Sequence, residues 1–209
     1  MMTSFGKCGG ATVRVNYAPG LERQADWLLS VLGEMASSGA RLAPDVRVQI
    51  GWSFIQLRAD GDELIVCEPD FAGNPFKDLR RDVSVTLQVQ ASQNDFISRL
   101  GVAPTMVSFQ DKIIFSKGCL GVDRIYAERI DPKVNSHDSG WFFGYVDGDN
   151  DASNLQAGYV YHLLALRPIL LQILLLPAGY MVVFNGERVE DILGVDGKSV
   201  LSARKSRGS

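Results

Sequence analysis

Asp147, Asp149 and Asp151 stand at alternate positions, the spacing with which carboxylates open a calcium-binding loop. Such a loop needs glycine at its sixth position and a bidentate glutamate at its twelfth, where this chain has Ala152 and Gly158. Lacking the strongest ligand, the run reads as a solvated loop. Ser136-His137-Asp138-Ser139 holds the residue types of a hydrolase triad. A triad needs three groups converging from separate backbone positions, so adjacency makes this stretch a turn. His162 sits in an apolar segment, and the chain has two histidines in all, which suits a core histidine rather than a metal ligand. Cys119, in Lys117-Gly118-Cys119-Leu120-Gly121, is a candidate nucleophile because Lys117 favours the thiolate. No base can be nominated for it, and a small buried cysteine is the plainer reading. No glycine-rich phosphate loop occurs, and Lys112, Lys117, Arg80 and Arg81 are scattered as on a solvated face. The residues therefore predict no catalytic set, no metal and no cofactor.

A surface remains. Trp141, Phe142, Phe143 and Tyr145 lead into the three aspartates, and strand alternation exposes part of that run. Aromatic anchors beside an acidic rim suit docking onto a basic protein partner. The competing reading packs every aromatic into the core and leaves the acidic loop merely solvated. The long loop Glu68–Arg81 carries Phe71 and Phe76, and large apolar residues in a long loop are either packed down or used for binding. The candidate partner-binding residues are thus Asp147, Asp149, Asp151, Phe142, Tyr145, Phe71 and Phe76.

The elements that would position them follow from periodicity. Leu21–Ser37 repeats apolar residues at three and four, as an amphipathic helix does. Val46–Leu57 alternates as one long strand, Asp60-Gly61 makes a tight turn, and Glu63–Cys67 returns. Asp82–Leu100 begins with an N-cap aspartate and reads as a helix. Thr105–Phe109, Lys112–Lys117 and Arg124–Arg129 read as strands. Pro168–Gly186 contains no charged residue and is about as long as a bilayer span. Breaks at Pro168, Pro177 and Gly179 argue instead for a core helix, Tyr161–Leu176, followed by a strand, Tyr180–Phe184, and an Asn185-Gly186 turn. Val189–Leu193 reads as a short helical piece. Helices and antiparallel hairpins without a βαβ rhythm make the class α+β, with a mixed, mainly antiparallel sheet and packed helices. The expected divisions are an N-terminal helical segment over 1–45, an α+β region over 46–135, a second α+β domain over 136–196, and a flexible tail over 197–209.

Composition narrows the function classes. Hydrophobic content of 46% with 22% charged residues, over 209 residues, supports a sizeable core. A net charge of −3 gives no footprint for nucleic acid, though a mildly acidic protein suits a basic partner. The N-terminus has no apolar run of the secretory kind, and Cys8, Cys67 and Cys119 are far apart and odd in number. Reduced thiols, and so a cytoplasmic location without a membrane span, are expected.

Several motifs in order resemble a known family. Asp138-Ser-Gly-Trp141, the acidic loop Asp147–Asp151, Tyr161-His-Leu163 and Pro177–Phe184 are similar to the bacterial polymorphic-toxin immunity family numbered thirty-three. Upstream, Ile50–Ser53, Val66–Phe76 and Phe109–Cys119 resemble longer members, so the likeness runs from about Arg47 to Gly194. The resemblance implies a non-enzymatic antitoxin that binds one cognate effector toxin, delivered by type VI or another polymorphic toxin system, and occludes its active site. It implies no catalytic residues, and neither the binding face nor the oligomeric state carries over. Two other readings stay open: an enzyme, hydrolase-like and using Cys119 or the loop acids, that reverses a toxin's modification, and a small-ligand-binding regulatory module.

Overall fold

Gly9 and Gly10 both take positive φ, 57° and 87°, and turn the first strand back on itself. The structure, a computed structural model, describes residues 1–132 and 137–201, and the chain divides into two units, Met1–Ser92 and Gln93–Ser209. In the first unit the two glycines join β1 (Met2–Cys8) to β2 (Ala11–Tyr17) as an antiparallel hairpin. The segment 1–45, expected to be helical, therefore opens with two strands before its helix. The alternation of Ala11–Tyr17, with Val13 and Val15 fully buried, was the available signal. Helix α1 (Glu22–Ser37) buries Ala25, Leu28 and Leu32, the stripe its periodicity predicts.

The long strand expected over Val46–Leu57 is instead a hairpin, β3 (Arg47–Ile50) and β4 (Ser53–Asp60). Gly51 at φ 55° followed by Trp52 makes the two-residue turn, a geometry in which glycine at the first central position is favoured. The fold-back pairs Val48 with Ile55, so residues of opposite parity share one buried face. β5 (Glu63–Pro69) follows the Asp60-Gly61 turn as expected, antiparallel to β4 and parallel to β2. The sheet order is β1-β2-β5-β4-β3, with β6 (Leu79–Arg80) paired to β5.

Helix α2 (Ser84–Leu100) starts where Asp82 Oδ1 accepts the Ser84 N–H at 2.9 Å, as the N-cap reading requires. Glu68, its side chain fully buried, accepts the N–H of Thr86 at 2.7 Å and of Val85 at 3.3 Å in the first turn of α2. Burial outweighs those bonds and the nearby Arg80, and raises its pKa from 4.5 to about 7. The folded state then binds more protons than the unfolded one between those values, so stability falls as pH rises from about 4.5 to about 7 and is level above. The shift corresponds to about 3 kcal/mol. Glu68→Gln is expected to remove this slope. The check is the difference in urea-unfolding free energy between wild type and variant, measured across that window.

In the second unit β7 (Lys112–Ser116), β8 (Arg124–Arg129), β9 (Asp138–Tyr145), β10 (Leu155–Tyr159), β11 (Met181–Asn185) and β12 (Arg188–Leu193) form one sheet. Its order is β10-β7-β9-β8-β11-β12, with β7 and β9 parallel and every other pair antiparallel. The class is α+β. One face is closed: Ile113, Ile125, Ala127, Trp141, Phe143, Val182 and Phe184 are all buried. Trp141 Nε1 donates to Leu174 O at 3.1 Å, tying the leucine-rich segment to that face.

Three expectations fail here. Tyr161–Leu176 is not one helix but a 3-10 turn (Val160–His162), one α-turn, α3 (Leu163–Leu166), and a 3-10 stretch (Pro168–Ile173). Pro168 forces the break, because proline removes a donor and pushes the preceding residue extended; Arg167 has φ −164°. The guanidinium of Arg167 then caps the carbonyls of Val122 (2.6 Å), Asp123 (2.9 Å) and Gly186 (2.7 Å). Thr105–Phe109 is irregular rather than a strand, with Val107 and Phe109 buried and the carbonyls of Thr105 and Met106 bonded to Arg129. Val189–Leu193 belongs to β12, not to a helix, since the Asn185-Gly186 turn returns the chain along β11. No helix among the described residues is long and apolar enough to cross a membrane.

Candidate functional site

The Asp138-Ser139-Gly140-Trp141 run fixes the edge of what the second sheet presents. Asp138 Oδ1 accepts the Gly140 N–H at 2.9 Å. Ser139 Oγ donates to Lys112 O at 2.6 Å and accepts the Trp141 N–H at 3.2 Å, where the β7–β9 register shifts. Gly140, at φ 73°, donates nothing to the ladder there but accepts the Ile130 N–H through its carbonyl at 3.0 Å. Beneath the run lies Arg129, 1% exposed. It donates to five main-chain carbonyls: Ser139 (3.1 Å), Thr105 (3.0 Å), Leu174 (3.0 Å), Leu176 (2.6 Å) and Met106 (3.4 Å). Burial lowers its pKa to about 10, which leaves it charged at neutral pH. These four motif residues are thus a positioning device.

The face they position is the one opposite the buried core. The ladder sets Ala157, Ile114, Phe142, Glu128, Met181 and Leu193 in one row across all six strands, with none of them buried. Tyr126 and Val183 stand in the next row, and Tyr126 packs on Phe142 with ring centroids 5.7 Å apart. A groove of about 310 Å3 opens in this face, lined by Ile114, Glu128, Ile130, Asp138, Gly140, Trp141 and Phe142. Ile130 is 59% exposed. Sequence reasoning found Phe142 but missed Ile114, Glu128 and Ile130. The signal was the alternation of Arg124–Ile130, whose even positions leave the core.

The candidate residues are distributed as follows. Phe142 and Tyr145 sit on opposite faces of β9; Tyr145 donates its hydroxyl to Lys117 O at 2.8 Å. Asn150 clamps the acidic loop: its Oδ1 accepts from Ser116 Oγ (2.7 Å) and the Tyr145 N–H (2.9 Å), and its Nδ2 donates to Tyr145 O (2.9 Å). Asp147 pairs with Arg124 at 3.1 Å, and Arg124 also holds Glu190 at 2.9 Å. Asp149 Oδ1 accepts the Asp151 N–H at 2.7 Å. All three aspartates are exposed, but they do not converge on a common centre. Phe71 and Phe76 belong to the first unit, where Phe71 stacks on buried Trp52 with centroids 5.0 Å apart and Phe76 is 46% exposed.

The remaining chemical candidates resolve into structure. Cys119 is fully buried, its Sγ donates to Phe143 O at 3.4 Å, and burial pushes its pKa up to about 11. A thiol so held is protonated at neutral pH and out of reach of a substrate. His162 accepts the Tyr159 N–H on Nδ1 at 3.2 Å, and burial lowers its pKa. Ser136 lies outside the described residues, as does the tail from residue 202. Among the described residues no group of three or more His, Cys, Asp or Glu is placed to hold a metal ion.

Residues 92–194 match the family model described as the Imm33-like domain, a span that begins at the boundary between the two units and ends within the second. No curated protein and no solved structure matches the chain.

Proposed function

Because the stretch 92–194 belongs to the Imm33-like family, we propose that this protein is an immunity protein that binds one cognate effector toxin and blocks the toxin's active site. The family membership carries the reading. The buried, protonated Cys119 agrees with a role that needs no chemistry of its own. The toxin is one delivered by a type VI or other polymorphic toxin system, and the inhibitor acts inside the producing cell without a cofactor. Occlusion on the scale of an ordinary complex covers about 800 Å2 on each partner. We place the contact of the second unit on the loop aspartates Asp147, Asp149 and Asp151 with Tyr145 beside them, or on Phe142 of the open face, and take Phe71 and Phe76 as the candidates of the first unit by itself. Exposed acids beside aromatic side chains give a basic partner both steering and anchorage.

The test is co-expression with the C-terminal domain of the large secreted toxin that this reading expects to be encoded beside its gene. A stable complex is expected. Reversing the three aspartates together (Asp147→Lys, Asp149→Lys, Asp151→Lys) is expected to weaken it by about a hundredfold or more, since a close charge pair across an interface couples by at least about 1.5 kcal/mol. A complex of unchanged affinity would discard this face, and failure of any toxin domain to co-purify would discard the function.

A further inference from the structure

We propose that the groove on the open face of the second sheet is a seat for an arginine side chain, and that the bound toxin supplies it. This rests on the immunity reading for the owner of the arginine, but not for the seat itself. The floor is apolar and flat: Ile114 and the Phe142 ring, with Trp141 beneath and exposed Ile130 at one side. Two carboxylates stand on this floor, Glu128 directly across the ladder from Phe142 and Asp138 at the head of the same strand. No cation among the described residues pairs with either of them. Asp138 spends one oxygen on the Gly140 N–H, and its second oxygen accepts from no described residue.

Among the described residues, Glu128 and Asp138, with Lys112 across the ladder from Asp138, leave a net negative charge over the aromatic floor, and it selects its occupant by charge and shape. An acidic group is repelled by Glu128, and a neutral donor bonds to it but leaves its charge unmatched. A lysine ammonium satisfies the charge but is a compact, strongly hydrated ion. A guanidinium is planar, stacks on an aromatic face and grips a carboxylate with two parallel bonds, while its three methylenes cover Ile114 and Ile130. About 310 Å3 is room enough for one long side chain. The Gly140 N–H bond to Asp138 Oδ1 holds that carboxylate in place before anything binds.

The test uses the full chain, 15N-labelled, titrated with ethylguanidinium chloride and, in parallel, with propylammonium chloride and sodium chloride. Saturable amide shifts at Ile114, Glu128, Ile130 and Phe142 are expected for ethylguanidinium alone, with a Kd on the order of millimolar. Glu128→Gln, at a residue outside the core, is expected to weaken them about tenfold. Shifts confined to the Asp147–Asp151 loop, an equal response to the other two salts, or no saturation would each overturn the seat. A protein that forms the toxin complex yet fails this titration keeps its function and loses the seat. One that passes while no toxin co-purifies keeps the seat and loses the function.

Discussion

Arg129→Met is expected to destabilise the second unit by about 4 kcal/mol, the loss measured as a lowered urea midpoint for that unit. Two effects oppose each other at this position. Burying a guanidinium with no carboxylate bonded to it is costly, as its lowered pKa records with Asp111 and Asp131 offsetting only part of the burial, and an apolar replacement of similar length relieves that cost. The carbonyls of Ser139, Thr105, Met106, Leu174 and Leu176 cannot be replaced with it, however, because they belong to the main chain. Leu174 O keeps the Trp141 Nε1 donor and Thr105 and Met106 are exposed, but the buried carbonyls of Ser139 and Leu176 lose their donor at about 1–3 kcal/mol each. Two buried carbonyls against one desolvated cation decide the sign. Arg129→Lys is expected to recover part of the loss, since an ammonium offers three donors where the guanidinium offers five.

The second large effect is expected at Gly140. A Cβ there would lie 2.2 Å from the carbonyl oxygen of Ile130, a main-chain atom that cannot rotate away. Its φ of 73° adds the left-handed penalty, which is greatest for a β-branched side chain. Strain and overpacking together give about 4 kcal/mol for Gly140→Val. Gly140→Ala meets the same atom but has less to accommodate, so it should lie between wild type and valine in urea melts. Because Gly140 lines the groove, the alanine variant is also expected to disturb the amides of Ile114 and Phe142 in 15N spectra at temperatures where it remains folded.

These positions show what could be read from the sequence and what could not. The helices Glu22–Ser37 and Ser84–Leu100 and the strand Arg124–Arg129 were legible because local periodicity and an N-cap aspartate specify them without help from distant residues. Val46–Leu57 misled because a two-residue turn at Gly51-Trp52 preserves the look of alternation while reversing the chain. The Tyr161–Leu176 helix failed at Pro168, whose effect on Arg167 outweighed the surrounding leucine propensity. The aromatic run divided as alternation requires, with Trp141 and Phe143 buried and Phe142 on the open face. The groove was not legible. Ile114, Glu128 and Phe142 come from three strands whose neighbourhood depends on a parallel β7–β9 pairing, and nothing local encodes that pairing. Arg129 was hidden for a related reason: a strand-end arginine looks solvated until the carbonyls that surround it arrive from 10 to 47 residues away.

The central claim, inhibition by occupancy, is tested most directly by titrating this protein into a fixed amount of the co-purified toxin domain and following toxin activity. The expected curve falls in a straight line and reaches zero near one equivalent, with activity returning when the complex is dissociated. Full loss of activity at a small fraction of an equivalent, deepening with incubation time, would mean turnover and would contradict the account.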